Sequence, residues 1–170
     1  DLTPEFVIKI GTAIGTYFKG GELLVGYDGR TSNIMFAHAI MSGLTATGCN
    51  VHDVGAAPTP CIQYAVKRHK MDGAIVITAS HNPPEYNGIK VAANDGVEIP
   101  REDEIKIENI FLKRKFKLAE WNKIGQAYTL PGILDEYIET IKTHFNVSAI
   151  QKKHLHVIID PGNGAGGLAA

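Results

Sequence analysis

The sequence predicts an α/β fold: a layered α/β/α domain with a mixed, mostly parallel four-stranded sheet, followed by the first strand of a second, similar domain. Three observations predict it. Short apolar runs (ELLVGYDGR, NVHDV, GAIVIT, IKVAA) recur along the chain, and most are separated by segments whose apolar residues fall at helical spacing. The helical segments carry their own start and stop residues. Strands joined through helices run parallel by right-handed crossovers and are covered on both faces.

The elements follow in order. Thr3-Pro4-Glu5 supplies a helix cap, a proline at the first helical position and an acid in the first turn. Phe6, Ile10, Ile14 and Tyr17 then recur at helical spacing, and Gly20-Gly21 stops the helix. ELLVGYDGR (22–30) is a short apolar run ending in Asp28-Gly29, which reads as a buried strand followed by a turn. Ser32 or Asn33 can cap a second helix, with Ile34, Ala37, Met41 and Leu44 inward. Residues 50–54 form a second strand, and Thr59-Pro60 opens a third helix with Ile62, Ala65 and Val66 inward. The run 73–78 is the most apolar in the chain and reads as a central strand. Only about ten residues, with no helix, separate it from 89–93, so that fourth strand is antiparallel. Residues 101–113 make a charged surface helix, 114–130 are irregular around Trp121, and 131–146 are helical. A polar stretch at 147–153 separates domain 1–150 from 151–170, where LHVIID (155–160) is a fresh strand running into PGNGAGG. Both ends read as cut, since DLTPEF opens directly on a helix cap and GNGAGGLAA closes on a helix start.

Bulk composition narrows the function. With 170 residues, 44% hydrophobic and 21% charged, the chain can build a real core. A net charge of -1 offers no basic field for nucleic acid. No apolar run reaches the ~20 residues of a membrane helix. Cys49 and Cys61 lack CxxC spacing and read as free buried thiols of a reducing compartment, so the expected location is cytoplasmic.

The chemistry concentrates in residues 78–90. Open α/β sheets place ligands at the carboxyl ends of their strands, and the loop leaving 73–78 carries a hydroxyl (Ser80), an imidazole (His81) and an amide (Asn82). Pro83-Pro84 stiffens it. Asn87-Gly88 turns the chain back, and Lys90 opens the next strand close enough to return its ammonium to the loop. A hydroxyl near a cation and an imidazole suits phosphoryl transfer, in which oriented donors stabilise charge on the equatorial oxygens. Asp28 and Arg30 end the first strand on the same side. They read first as a local pair fixing the strand-to-helix turn, and second as a support for the Ser80 loop with Arg30 as a phosphate-binding candidate.

The string VITASHNPPEYNGIKV resembles the phosphoserine loop of the α-D-phosphohexomutases, the family of phosphoglucomutase, phosphomannomutase and phosphoglucosamine mutase. LTPEF, VGYDGRTS, APTP and DPGNGAGG extend the resemblance along essentially the whole chain. It implies that Ser80 carries a phosphate, passes it to a hexose 1- or 6-phosphate, and recovers the other phosphate from the resulting hexose 1,6-bisphosphate. His81 and Asn82 would position the phosphoserine, while Lys90 would contact the phosphate and aid proton transfer. Mg2+ would bind an oxygen of the Ser80 phosphate, with family carboxylates from a DGDGDR-type loop that this sequence lacks. The implied partners are hexose phosphates, with neither nucleic acid nor membrane. PPEYNGIK is closer to phosphomannomutase/phosphoglucomutase members than to glucosamine mutases. With the arginine segment, sugar loop and phosphate loop of the family outside these residues, the isolated chain is expected to be inactive or nearly so.

Two other classes compete. A non-catalytic phosphate-binding module of the same fold would never phosphorylate Ser80. A nucleotide-dependent oxidoreductase would use Gly162, Gly164 and Gly167, which satisfy GxGxxG after a strand, although a tight structural turn explains them better. His154 and His156 alternate but lack a third metal ligand.

Overall fold

The computed structural model describes residues 2–170. The chain runs α1 (Pro4–Phe18), β1 (Glu22–Tyr27), α2 (Asn33–Thr45), β2 (Asn50–Ala56), α3 (Thr59–Arg68), β3 (Gly73–Ile77), β4 (Ile89–Ala93), α4 (Arg101–Leu112), β5 (Ala127–Thr129), α5 (Ile133–Thr143) and α6 (Val147–Gln151), with 3-10 turns at Trp121–Lys123 and Ala165–Leu168. The sheet has five strands, ordered β4-β3-β1-β2-β5. All neighbours are parallel except β3 and β4.

Alternation along the strands feeds two cores. On one face Leu23, Val25, Ile75 and Ile77 meet Val7 and Ile14 of α1 and Phe36, Ile40 and Leu44 of α2. On the other, Leu24, Ala74 and Val76 meet Cys61, Ile62, Ala65 and Val66 of α3 and Ile133 of α5. Each large apolar side chain so buried contributes about 1.5–3 kcal/mol relative to exposure. Glycine lets α1 and α2 approach closely, for a Cβ on Gly11 would meet the Ile40 carbonyl oxygen at 2.6 Å.

The sequence reading holds for the cap of α1, where Thr3 Oγ1 accepts from Phe6 N at 3.2 Å, for the inward face of α3, and for antiparallel β4. It needs four corrections. The sheet gains β5 inside the stretch expected to be irregular; this edge strand is wholly exposed, so no apolar pattern announces it. Ile34, expected inward, points outward and is 58% exposed, because Phe36 takes the inward position. The first helix stops one residue early, at Lys19 with φ 57°. Residues 155–160 form no strand, having no sheet partner among the described residues, and Ile158 is 98% exposed.

Both cysteines are free and buried. Burial, reinforced by the Glu136 carboxylate, pushes the Cys61 thiol up to about 11, so it is protonated and inert at neutral pH. Among the described residues no helix is long and apolar enough to cross a membrane.

Candidate active site

The carboxyl ends of β1, β2 and β3 open onto one cleft. It is bounded by the turn after β1, the loop before α3, the Ser80 loop, and residues 162–165. The amino ends of α2 and α3 also point there, with Thr31 and Thr59 on the wall. Helix amino termini carry partial positive charge and unpaired N–H groups, which favour an anion.

Ser80 sits exposed on the wall of this cleft with φ 52°. That left-handed conformation costs a residue with a Cβ about 1–2 kcal/mol. Its two backbone polar groups are both held. Its N–H donates to Thr78 Oγ1 at 3.0 Å, and its carbonyl accepts from Arg30 Nη2 at 3.1 Å. The Ser80 hydroxyl itself makes no hydrogen bond among the described residues, so the strained backbone ends in an uncommitted nucleophile.

The surrounding network is extensive. Arg30 Nη1 donates to the carbonyls of Pro83 (2.6 Å) and Tyr86 (2.9 Å), and Nη2 also donates to that of Asn82 (2.8 Å). Arg30 Nε donates to Asp28 Oδ2 at 3.3 Å, and Thr78 Oγ1 donates to the same oxygen at 2.7 Å. Buried Asn33 donates to Asp28 Oδ1 at 2.6 Å and accepts from Asn87 Nδ2 at 2.6 Å. The loop closes where Thr78 N donates to the Gly88 carbonyl at 3.0 Å. Burial would raise the Asp28 pKa, but hydrogen bonds from Thr78, Asn33 and the Arg30 N–H, together with the Arg30 charge, outweigh it. The carboxyl is held below its ordinary range.

The expected site residues are thus distributed unevenly. Ser80, His81, Asn82 and Arg30 share the cleft. His81 is exposed there, free to meet a ligand. Asn82 turns its Nδ2 inward to the Ala79 carbonyl at 2.9 Å, which braces the loop. Arg30 combines the two roles weighed from sequence, pairing with Asp28 and holding the loop. In this arrangement none of its N–H groups remains for a phosphate. Lys90 is the exception: its ammonium is ion-paired with Glu98 at 2.7 Å instead of returning to the loop. The sequence reads Asn33 as a helix cap and Asn87 as a turn residue and gives Thr78 no role, whereas all three join the network around Asp28. A threonine ending an apolar strand and an asparagine at a helix start were the available signals.

No group of three or more His, Cys, Asp or Glu side chains could hold a metal among the described residues. The carboxylate that lines the cleft, Asp28, is already engaged by three partners. These residues alone do not fit a Mg2+ site, and His154 and His156 lie exposed away from any third ligand.

A caged, strained serine beside an imidazole, at the carboxyl edge of an α/β/α sheet, is equipment for carrying a group on a hydroxyl. The family description "Phosphoglucomutase/phosphomannomutase, alpha/beta/alpha domain I" matches residues 1–118. The chain is 47% identical over 173 residues to a phosphoglucomutase/phosphomannomutase of Thermococcus kodakarensis, covering 99% of this chain and 38% of that protein. It is 44% identical over 171 residues to a phosphoglucosamine/phosphogalactosamine mutase of Sulfurisphaera tokodaii, again covering 99% and 38%. A crystal structure of a phosphoglucomutase/phosphomannomutase family protein from Burkholderia thailandensis superimposes with TM-score 0.69 at 28% identity, over 81% of this chain and 31% of that one. This chain belongs to the phosphoglucomutase/phosphomannomutase family. It spans a little over a third of the length of these curated relatives.

Proposed function

We propose that the chain supplies the phosphoryl-carrying part of a hexose-phosphate mutase, interconverting hexose 1-phosphate and hexose 6-phosphate with Ser80 as the carrier. The observation that carries this reading is the presentation of Ser80. Its hydroxyl is uncommitted while both of its backbone groups are fixed, in a cleft flanked by two helix amino termini. Positioning and electrostatics account for most of the catalysis of phosphoryl transfer, and this cleft supplies a share of each.

The steps balance within this reading. Phosphoserine 80 gives its phosphoryl group to the free hydroxyl of a hexose monophosphate, leaving the serine alkoxide to regain a proton and forming a hexose 1,6-bisphosphate. The serine oxygen then attacks the other phosphate of that bisphosphate, and the sugar leaves as the isomeric monophosphate. In this reading His81, exposed on the same wall, would exchange a proton with the Ser80 oxygen or the sugar hydroxyl. A Mg2+ ion, were one bound, would neutralise phosphate charge, and its carboxylate ligands would have to come from residues other than those in this cleft. Residues 1–150 are the phosphoserine domain in this proposal, and 151–170 open the next one.

The sugar is read as glucose and/or mannose, from the PPEYNGIK loop. The amino-sugar alternative has its own support in the 44% identity to a phosphoglucosamine/phosphogalactosamine mutase. Incubating the full-length protein that carries this chain with glucose, mannose and glucosamine 1-phosphates, plus a catalytic amount of glucose 1,6-bisphosphate, tests both. The proposal expects 6-phosphate product from glucose or mannose 1-phosphate, lost in Ser80→Ala. Product from glucosamine alone would replace the sugar. No product from any, or turnover surviving Ser80→Ala, would sink the mutase reading.

A further inference from the structure

A guanidinium carries five N–H donors in a planar fork, and in Arg30 all five are spent. Nε goes to Asp28, Nη1 to the carbonyls of Pro83 and Tyr86, and Nη2 to those of Ser80 and Asn82. Four carbonyl dipoles pointing at one spot repel each other unless a cation lies at their focus. The loop therefore wraps around Arg30 much as it would around a bound ion. The cation reaches it from the end of β1, some fifty residues away in sequence.

Ser80 is fixed by the same device. Its N–H rests on Thr78 Oγ1 and its carbonyl on Arg30 Nη2, and both holders rest in turn on one atom, Asp28 Oδ2. Asp28 is itself pinned by Asn33 Nδ2 at 2.6 Å and by the Arg30 N–H at 3.1 Å. A single carboxylate oxygen thus governs both backbone groups of the one loop residue held at positive φ.

We propose that Arg30, oriented by Asp28, is a positioning residue: it locks Ser80 in its left-handed backbone conformation, and so aims the hydroxyl at the transferring phosphoryl group, without binding that group itself. The inference rests on Ser80 being the phosphoryl carrier. If residue 80 relaxed to an extended or right-handed backbone, its Cβ and Oγ would swing out of line. A displacement of about 1 Å in such a geometry is enough to cost on the order of 100-fold in rate. Lysine cannot substitute, because its three donors sit on one compact ammonium and cannot span four carbonyls and a carboxylate.

Arg30→Lys and Arg30→Ala in the full-length protein test this, with three readouts: steady-state kinetics, the rate of Ser80 phosphorylation by glucose 1,6-bisphosphate, and limited proteolysis within residues 79–88. Both variants are expected to lose about 100-fold in kcat, with KM within about threefold of wild type. Ser80 phosphorylation should slow in parallel, and cleavage in the loop should accelerate. Guanidinium ion at concentrations that leave the wild type unaffected should restore part of the activity of Arg30→Ala. Unchanged kcat in Arg30→Lys would overturn the proposal. So would a raised KM at unchanged kcat, the signature of a residue that binds the phosphosugar. A kcat loss without loop opening or rescue would overturn it too. Should Arg30→Ala fail to give a cooperative melt, Arg30→Lys alone decides. The wild type provides the separation from the mutase reading. If it takes up no phosphate from the bisphosphate, that reading falls, while loop proteolysis still reports whether Arg30 holds the loop.

Discussion

Two loops face each other across the cleft, and they are built by opposite means. Residues 79–88 are tied to positions some fifty residues away: Arg30 grips four of their carbonyls, Thr78 and Asn87 reach Asp28 and Asn33, and the chain closes on itself at Gly88. Among the described residues, the hydrogen bonds of 160–167 stay within the segment: Gly162 N to Asp160 Oδ1, Gly164 N to the Pro161 carbonyl and Gly167 N to the Gly164 carbonyl. Both contain residues at positive φ, Ser80 at 52° in the first and Gly162 and Asn163 at 56° and 57° in the second. Positive φ alone therefore does not mark the reactive loop. The difference lies in whether distant side chains are spent on holding the strained residue, and only Ser80 has that.

Changes to these two loops should consequently differ in scale. Ser80→Ala removes the proposed carrier, and on that proposal mutase activity of the full-length protein should fall on the order of 10⁴-fold or more while its melting temperature stays near wild type; activity within tenfold would mean that the two loops differ in stiffness only. Asp28→Asn removes the negative charge on which Thr78 and Arg30 rest. Denaturant unfolding should register a loss of about 1–3 kcal/mol, and no loss would show that the loop does not need its hub.

The same carboxylate predicts an acid dependence. Its folded pKa lies below the ordinary 3.8, so the unfolded chain binds the proton first as pH falls. The Asp28 contribution is complete above the ordinary value and fades as pH drops toward the lower folded one. Difference melts of wild type and Asp28→Asn should therefore converge in that acid range and diverge above it. Lys90→Met breaks only a half-exposed pair with Glu98, so stability should change by less than about 1 kcal/mol. A large loss of activity in that variant would show that the lysine leaves Glu98 for the phosphate. The smallest effect belongs to the second loop. A Cβ on Gly166 meets nothing within 4 Å, and Gly166→Ala should leave stability within about 0.5 kcal/mol of wild type.

Much of this contrast is legible in the amino-acid sequence. The Ser80 loop is legible because its position after an all-apolar strand and its proline and Asn-Gly punctuation are local signals. The cap at Thr3, the inward face of α3 and the reversal into β4 are legible for the same reason. The grip of Arg30 is not, because it joins residues 30 and 80–86, and nothing in either segment specifies the other. Asn33 illustrates the same limit: it reads as a helix cap, yet its side chain turns back to Asp28. β5 went unseen because Ala127–Thr129 is short and exposed, and it is defined only by its pairing with β2. LHVIID reads as a strand by composition, but a strand needs a partner, and among the described residues it has none.

The most direct test of Ser80 as the carrier is to locate the phosphate. The full-length protein, incubated with glucose 1,6-bisphosphate and then digested, should show by mass spectrometry a single added phosphate on the peptide containing residues 79–88, placed on Ser80 by fragmentation and absent from Ser80→Ala. A protein that takes up no phosphate, or carries it on another residue, would contradict the account.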